Sequence, residues 1–163
     1  RRRNPCRLPQ QGSSSIAPPP DATIIHADEK QLGQLKNLRV LVVDDLPANR
    51  QLLQQQLAFI GIEQVMSAEN GAEAWQKANQ QHYDLIFMDI SMPVMDGLTA
   101  CSVIKSNTSL KKQPIIIAMT ANAMSGDKEN YLKVGMDDYI SKPFDLDDIE
   151  NRIKKLLDKK KAA

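Results

Sequence analysis

Asp44, Asp45, Asp89, Thr120 and Lys142 are the residues of this chain best suited to do chemistry together. Each closes or follows an apolar run. Val40-Leu41-Val42-Val43 precedes the acidic pair, Leu85-Ile86-Phe87-Met88 precedes Asp89, Ile115 to Met119 precedes Thr120, and Tyr139-Ile140 precedes Lys142. If those runs are parallel strands, their ends share one sheet edge. Three carboxylates, a hydroxyl and an ammonium then meet in one pocket. Carboxylates that close repel and raise one another's pKa unless a cation is present. Mg²⁺ takes oxygen ligands in octahedral geometry and keeps some waters. Two carboxylates, a backbone carbonyl from the loop after Asp89 and phosphoryl oxygens fill such a shell. The set suits Mg²⁺-assisted transfer of a phosphoryl group onto Asp89, giving an acyl phosphate. Lys142 supplies a second positive charge and Thr120 a hydrogen bond, which the spread charge of the transition state needs. Taken singly, each residue has a plain structural reading: a loop cap, a solvated charge, a loop hydroxyl. Five such types on one edge are hard to explain by chance.

The elements that must position these residues alternate regularly. Val40 to Val43 is continuously apolar, as expected of a strand buried on both faces. Pro47 to Ile60 has helical spacing, with Leu53, Leu57 and Ile60 on one face, Pro47 in the first turn and Gly61 as terminator. Val65-Met66 reads as a second strand, and Asn70 to Gln81 as a helix with Ala74, Trp75 and Ala78 inward. Leu85 to Met88 is a third strand, Leu98 to Lys105 a helix, Ile115 to Met119 a fourth strand, and Asp127 to Val134 a polar helix stopped by Gly135. Tyr139-Ile140 is a fifth strand and Asp145 to Asp158 the last helix. Strict alternation implies an α/β fold: a doubly wound, five-stranded parallel sheet with five helices. The order 2-1-3-4-5 is the commonest for this length, and its crevice opens at the carboxyl ends of strands 1 and 3. Those ends carry Asp44-Asp45 and Asp89.

Residues 1–36 differ in composition. Ser13-Ser14-Ser15 and Pro18-Pro19-Pro20 sit among Gln, Arg and Asn, which cannot bury enough apolar surface to order the segment. It reads as a polar, mostly disordered linker, though Ile24-Ile25 and the Leu32, Leu35, Leu38 spacing fit a short helix leading into the domain. The domain itself is read as 37–158, with 159–163 as a basic tail; Lys159-Lys160-Lys161 also suits the negative end of the last helix. Arg1-Arg2-Arg3 has no apolar run behind it, so no secretory signal is expected. The absent starting Met suggests either a piece cut from a longer protein or an omitted start.

The bulk numbers exclude several classes. With 163 residues, 42% hydrophobic and 25% charged, the chain has ordinary globular composition. A net charge of +1 gives no global field for nucleic acid or membrane, and no run approaches the roughly 20 apolar residues of a membrane span. Cys6 and Cys101 fit neither a metal site nor a disulfide, and are read as free thiols of a cytosolic protein. His26 falls in the linker and His82 ahead of the third strand, so both are read as bystanders. There is no G-x-x-x-x-G-K-[ST] or G-x-G-x-x-G loop. A flavin phosphate would be repelled by Asp44-Asp45.

Four stretches carry a family resemblance: Val42-Val43-Asp44-Asp45; Met88-Asp89-Ile90-Ser91-Met92-Pro93-Val94-Met95-Asp96-Gly97; Met119-Thr120-Ala121-Asn122-Ala123; and Gly135-Met136-Asp137-Asp138-Tyr139-Ile140-Ser141-Lys142-Pro143-Phe144. Over residues 37–158 the chain resembles the receiver domain of two-component signalling, a flavodoxin-like fold. Asn49, Asn70-Gly71, Ala121-Asn122-Ala123 and Asp137-Asp138-Tyr139 make it most like receivers attached to hybrid sensor histidine kinases. The resemblance implies that Asp89 is the phosphoacceptor, with a histidine kinase or histidine phosphotransfer domain as donor. It implies Mg²⁺ held by Asp45 and Asp89, by Asp44 largely through water, and by the Ser91 carbonyl. Thr120 and Lys142 contact the phosphoryl group, Tyr139 is the aromatic switch, and the Lys142-Pro143 bond is cis. It also implies self-catalysed phosphorylation, slow loss of the phosphoryl group, and a cytoplasmic place, as a segment of a membrane-anchored sensor. Ala121, Met124, Tyr131 and Tyr139 are expected on the switching surface around the fourth strand, fourth helix and fifth strand. Exposed residues near the Asp44-Asp45 end of the first helix are expected to dock the donor. Alternatives are a stand-alone response regulator, which the long polar segment disfavours, and a pseudo-receiver, which the intact acidic set disfavours. A phosphatase would want a second acid two residues after the nucleophile, where Ser91 stands.

Overall fold

The computed structural model describes residues 29–122 and 126–161. The expectations for Cys6, His26, Ile24-Ile25, Ala123, Met124 and residues 162–163 lie outside them. Five strands, β1 (Arg39–Val43), β2 (Gln64–Ala68), β3 (Leu85–Asp89), β4 (Ile115–Thr120) and β5 (Asp138–Ser141), form one parallel sheet in the order β2-β1-β3-β4-β5. This is the order expected from the sequence. Six helices cover it among the described residues: α1 (Glu29–Lys36), α2 (Pro47–Ile60), α3 (Gly71–Gln80), α4 (Gly97–Ser106), α5 (Asp127–Lys133) and α6 (Leu146–Lys161).

The sheet separates two apolar cores because successive strand residues point to opposite faces. Val40, Val42 and Phe87 pack with Leu53 and Leu57 of α2 and Ile153 of α6. Leu41, Val43 and Met88 pack on the other face with Ala74 of α3 and Ile104 of α4. The central strands are buried on both sides: β3 has no exposed residue from Leu85 to Asp89. A run of that kind cannot show an alternating pattern, which is why its sequence is continuously apolar.

The structure corrects four expectations. Among the described residues the helix count is six, because α1 precedes the first strand. Leu35 of α1 is buried in the core with Leu38, so the helix that the Leu32, Leu35, Leu38 spacing fits packs on the domain ahead of residue 37. The amphipathic Leu32, Leu35, Leu38 spacing outweighs the polar composition around it. Lys159, Lys160 and Lys161 belong to α6 rather than to a tail, where three cations suit the negative helix end. Trp75 is 43% exposed rather than inward. The inward stripe of α3 is Gly71, Ala74 and Ala78, and the approach is tight. A Cβ on Gly71 would stand 2.7 Å from the Met95 carbonyl and 2.8 Å from the Ala100 Cβ. No large ring fits such an interface, and Trp75, one position round the helix, turns out.

Local signals fix the helix ends. Pro47 starts α2, and Gly61 closes it in the left-handed region at φ 107°, a conformation a side chain would disfavour. Asn70 caps α3 by accepting from the Glu73 amide, and Glu73 accepts from the Glu69 amide in return. Asp96 caps α4 by accepting from the Thr99 amide at 2.8 Å.

Candidate functional site

Parallel pairing sets the site. Val43 lies beside Met88 and Asp89 beside Met119, so Asp44, Asp89 and Thr120 all emerge at the carboxyl edge of the sheet. Lys142 follows the end of β5, where its amide donates to the Thr120 carbonyl at 2.7 Å. The Lys142-Pro143 bond is cis, as the resemblance implied. All five residues read from the sequence as one constellation stand at this edge.

Single carboxylate oxygens of Asp44, Asp45 and Asp89 all lie within 4.8 Å of one another. Asp44 and Asp89 are buried, and Asp45 is half-buried. Lys142 Nζ is 2.8 Å from Asp44 Oδ2 and 3.3 Å from Asp89 Oδ2. One ammonium thus reaches two of three clustered carboxylates, a formal excess of two negative charges among these four groups. Burial first, with Asp44 adding and Lys142 opposing, holds the Asp89 carboxyl above the ordinary carboxylate range. For Lys142, burial lowers the pKa, but the hydrogen bond to Asp44 and the charge of Asp89 outweigh it, so its ammonium is held above its usual value. The site is therefore a buried anionic pocket lined by oxygen donors, which suits a hard divalent cation.

Neighbouring residues fix the carboxylates. The Leu46 amide donates to Asp44 Oδ1 at 2.9 Å, and Asn49 Nδ2 reaches both Asp44 oxygens at 3.2 Å. Arg50 Nη1 donates to the Asp44 carbonyl at 2.7 Å. The Ser91 amide donates to Asp89 Oδ1 at 3.3 Å. Behind Asp89, the chain turns back so closely that a Cβ on Gly97 would stand 2.1 Å from the Asp89 carbonyl oxygen. The holding roles of Asn49 and Arg50 were not read from the sequence. The signal was there: residues four and five beyond Asp45, in the first turn of a helix, face back along the strand that feeds it.

Thr120 is buried, and its hydroxyl donates to the Asn122 carbonyl at 2.9 Å. Tyr139 is half-buried, with Lys128 Nζ 5.8 Å and Arg152 Cζ 5.6 Å from its ring centroid. Tyr131 was expected on the switching surface but is buried at 6% exposure, because α5 turns that position onto the sheet. Beside the acidic edge opens a cavity of about 280 Å³ lined by Asp44, Asn49, Leu52, Lys142, Pro143 and Phe144, with Met119 at its base. Leu46 and Leu52 are exposed, Leu52 in the cavity lining, whereas Leu53 and Leu57 are core, as expected. His82 lies at the opposite edge, 3.2 Å from Asp84. Cys101 is a free, buried thiol.

Comparison with known proteins agrees with this geometry. The family model described as "Response regulator receiver domain" matches residues 40–154. Hybrid signal transduction histidine kinase G of Dictyostelium discoideum is 43% identical over 122 residues, which are 74% of this chain and 4% of that protein. The receiver domain of sensor histidine kinase PA1611 from Pseudomonas aeruginosa PAO1, solved with a magnesium ion coordinated in its active site cleft, aligns with a TM-score of 0.65 and 36% identity. That alignment covers 72% of this chain and 95% of the other. The Saccharomyces cerevisiae co-crystal of the histidine phosphotransfer protein Ypd1 with the receiver domain of Ssk1 aligns with a TM-score of 0.65 and 31% identity, covering 71% and 86%. The chain spans between 4% and 20% of the length of the first curated relatives it matches. Among the described residues, no helix is long and apolar enough to cross a membrane.

Proposed function

The chain belongs to the response regulator receiver domain family, and from that premise we propose that Asp89 accepts a phosphoryl group from the phosphohistidine of a histidine kinase or histidine phosphotransfer domain. One observation carries this reading: three carboxylates within 4.8 Å at the carboxyl edge, with Lys142 reaching two of them. In the transfer, a carboxylate oxygen of Asp89 forms the new bond to phosphorus while the bond from phosphorus to imidazole nitrogen breaks. The bonding electrons return to the imidazole, which already carries a proton on its other ring nitrogen and so leaves neutral. Lys142 offsets negative charge beside the transferring group, and Thr120 donates to one of its oxygens. Asn49 and the Leu46 amide keep Asp44 fixed, so little reorganisation accompanies the reaction.

The donor set fits Mg²⁺: oxygen ligands only, and an excess of two negative charges that a dication balances. Asp44, Asp45 and Asp89, with the Ser91 carbonyl, are the residues that would hold it, and its charge would neutralise the phosphoryl oxygens. The likeness to a receiver solved with magnesium supports this.

The likeness to a receiver solved with Ypd1 supports a phosphotransfer partner. Leu46, Ala48 and Leu52, exposed at the start of α2, form the surface read as its docking face. Relatives that are hybrid kinases support placing this domain, behind its polar linker, in a cytoplasmic part of a hybrid sensor histidine kinase. Tyr139 is read as the aromatic switch.

Intact mass after incubation with Mg²⁺ and phosphoramidate tests the reading. One phosphoryl adduct, absent from Asp89→Asn and absent without Mg²⁺, is the expected outcome. No adduct from the unaltered protein, together with no Mg²⁺ binding, would make the domain a pseudo-receiver.

A further inference from the structure

We propose that Tyr131 is a positioning residue that restrains Thr120 in the unphosphorylated form, so that this chain carries a brake on its own switch; the proposal rests on the phosphoacceptor reading of Asp89. The Tyr131 hydroxyl donates to Thr120 Oγ1 at 3.3 Å, between two buried side chains. The same oxygen accepts from the Asn122 amide at 3.1 Å and donates to the Asn122 carbonyl at 2.9 Å. A threonine hydroxyl has one proton and two acceptor lone pairs, so its capacity is already full. To donate to a phosphoryl oxygen on Asp89, Thr120 must withdraw its only proton from the Asn122 carbonyl. The lone pairs turn with it, and the Tyr131 hydroxyl loses its partner inside the protein. A buried hydroxyl left unpaired is penalised. That penalty falls on the phosphorylated state alone, so Tyr131 biases the equilibrium toward the resting one.

The same side chain reaches the switch tyrosine. The Tyr131 and Tyr139 ring centroids are 6.3 Å apart at 48°. Tyr139 also meets Lys128 and Arg152, and Arg152 is tied to Asp138 at 2.7 Å. Thr120, Tyr131 and Tyr139 therefore form one chain of contacts in which the middle member favours rest.

The test is the affinity of the full chain for beryllium fluoride with Mg²⁺, a phosphoryl mimic on aspartate, measured by titration calorimetry. Tyr131→Phe keeps the ring and removes the hydroxyl. It should bind about three- to tenfold more tightly than the unaltered protein, the size of one ordinary hydrogen bond. In a Thr120→Val background the same change should do nothing, because the restraint acts through the Thr120 hydroxyl. A merely structural role for Tyr131 would move both backgrounds alike, and that result overturns the proposal. So does equal affinity of Tyr131→Phe and the unaltered protein. Should Tyr131→Phe not fold, Tyr131→Met removes the same hydroxyl and is judged by the same two comparisons. If the unaltered protein takes neither beryllium fluoride nor a phosphoryl group, the phosphoacceptor reading itself falls, and the brake with it.

Discussion

Strand β3 has an aspartate at each end, and the two behave oppositely. Asp84, just ahead of the strand, accepts from the Arg39 amide at 3.1 Å and stands 3.2 Å from His82 and 3.4 Å from Lys112. Burial pushes its carboxyl up, but the Arg39 amide, His82 and Lys112 together hold it below the usual carboxylate range. Asp89, closing the strand, shares its one cation with Asp44 and is held above that range, chiefly by burial. The same side chain on the same strand is thus satisfied at one end and under-compensated at the other. Partners decide this, not residue type. An aspartate supplied with all its donors reads as scaffold, whereas one left short of positive charge is a candidate for binding a cation.

The largest effect that tests this contrast is on phosphorylation. Asp89→Asn should give no adduct with phosphoramidate and Mg²⁺, while Asp84→Asn should give as much as the unaltered protein. Loss of the adduct from both variants would mean that the two ends are not functionally distinct. Next is Lys142. Among the described residues, replacing it with Gln removes the only ammonium on Asp44 and Asp89, and the initial rate of adduct formation should fall on the order of 10²-fold. A rate within about threefold of the unaltered protein would show that Lys142 only fills space.

Stability against pH should run in opposite directions at the two ends. The folded carboxyl of Asp89 titrates above its unfolded value near 3.8. The neutral form is therefore the one the fold prefers: stability is fully present below that pH and lost as pH rises through the raised value. Without metal at neutral pH, Asp89→Asn should be more stable than the unaltered protein by on the order of 1 kcal/mol. The folded carboxyl of Asp84 titrates below 3.8. Its contribution is present above that pH and lost as pH falls through the lowered value. Asp84→Asn should therefore be less stable at neutral pH by about 1–2 kcal/mol. Both differences should shrink in acid. Urea melts at pH 7 and near pH 3 check the signs, and two variants that shift the same way at pH 7 would break the comparison.

The sequence made one end of β3 legible and hid the other. Asp89 could be found because apolar runs end at it and at Asp44, Thr120 and Lys142, so parallel pairing alone brings the four together. Asp84 had no such signal. Apart from nearby His82, its partners Arg39 and Lys112 lie far away in sequence and outside any motif, and only the shared amino edge of β1 and β3 and the loop ahead of β4 unites them. The same limit explains the misplaced aromatics. Helical spacing assigns a face but not the room on it, so Trp75 was read inward although only Gly and Ala fit between α3 and α4. Tyr131 was read outward from a polar helix, DKENYLK, whose single buried residue it is. Helix α1 was partly legible because its Leu spacing stood out against a polar background, but spacing could not show that Leu35 reaches the core.

The smallest effect sets two lysines side by side. Lys112 and Lys142 each reach an aspartate at one end of β3, but their side chains are 53% and 22% exposed. Water and salt screen the Lys112 pair, and a long side chain must be ordered to make it. Asp84 also keeps the Arg39 amide and His82 when that lysine is gone. Lys112→Gln should therefore cost no more than about 0.5 kcal/mol in a urea melt at low salt, fading as salt is added, with adduct formation unchanged. Lys142 cannot be spared in that way, because no second cation reaches Asp44 or Asp89 among the described ion pairs. A loss above about 2 kcal/mol for Lys112→Gln would show that the amino edge depends on its lysine as heavily as the carboxyl edge does, and the difference between the two ends would then lie in geometry rather than in charge supply.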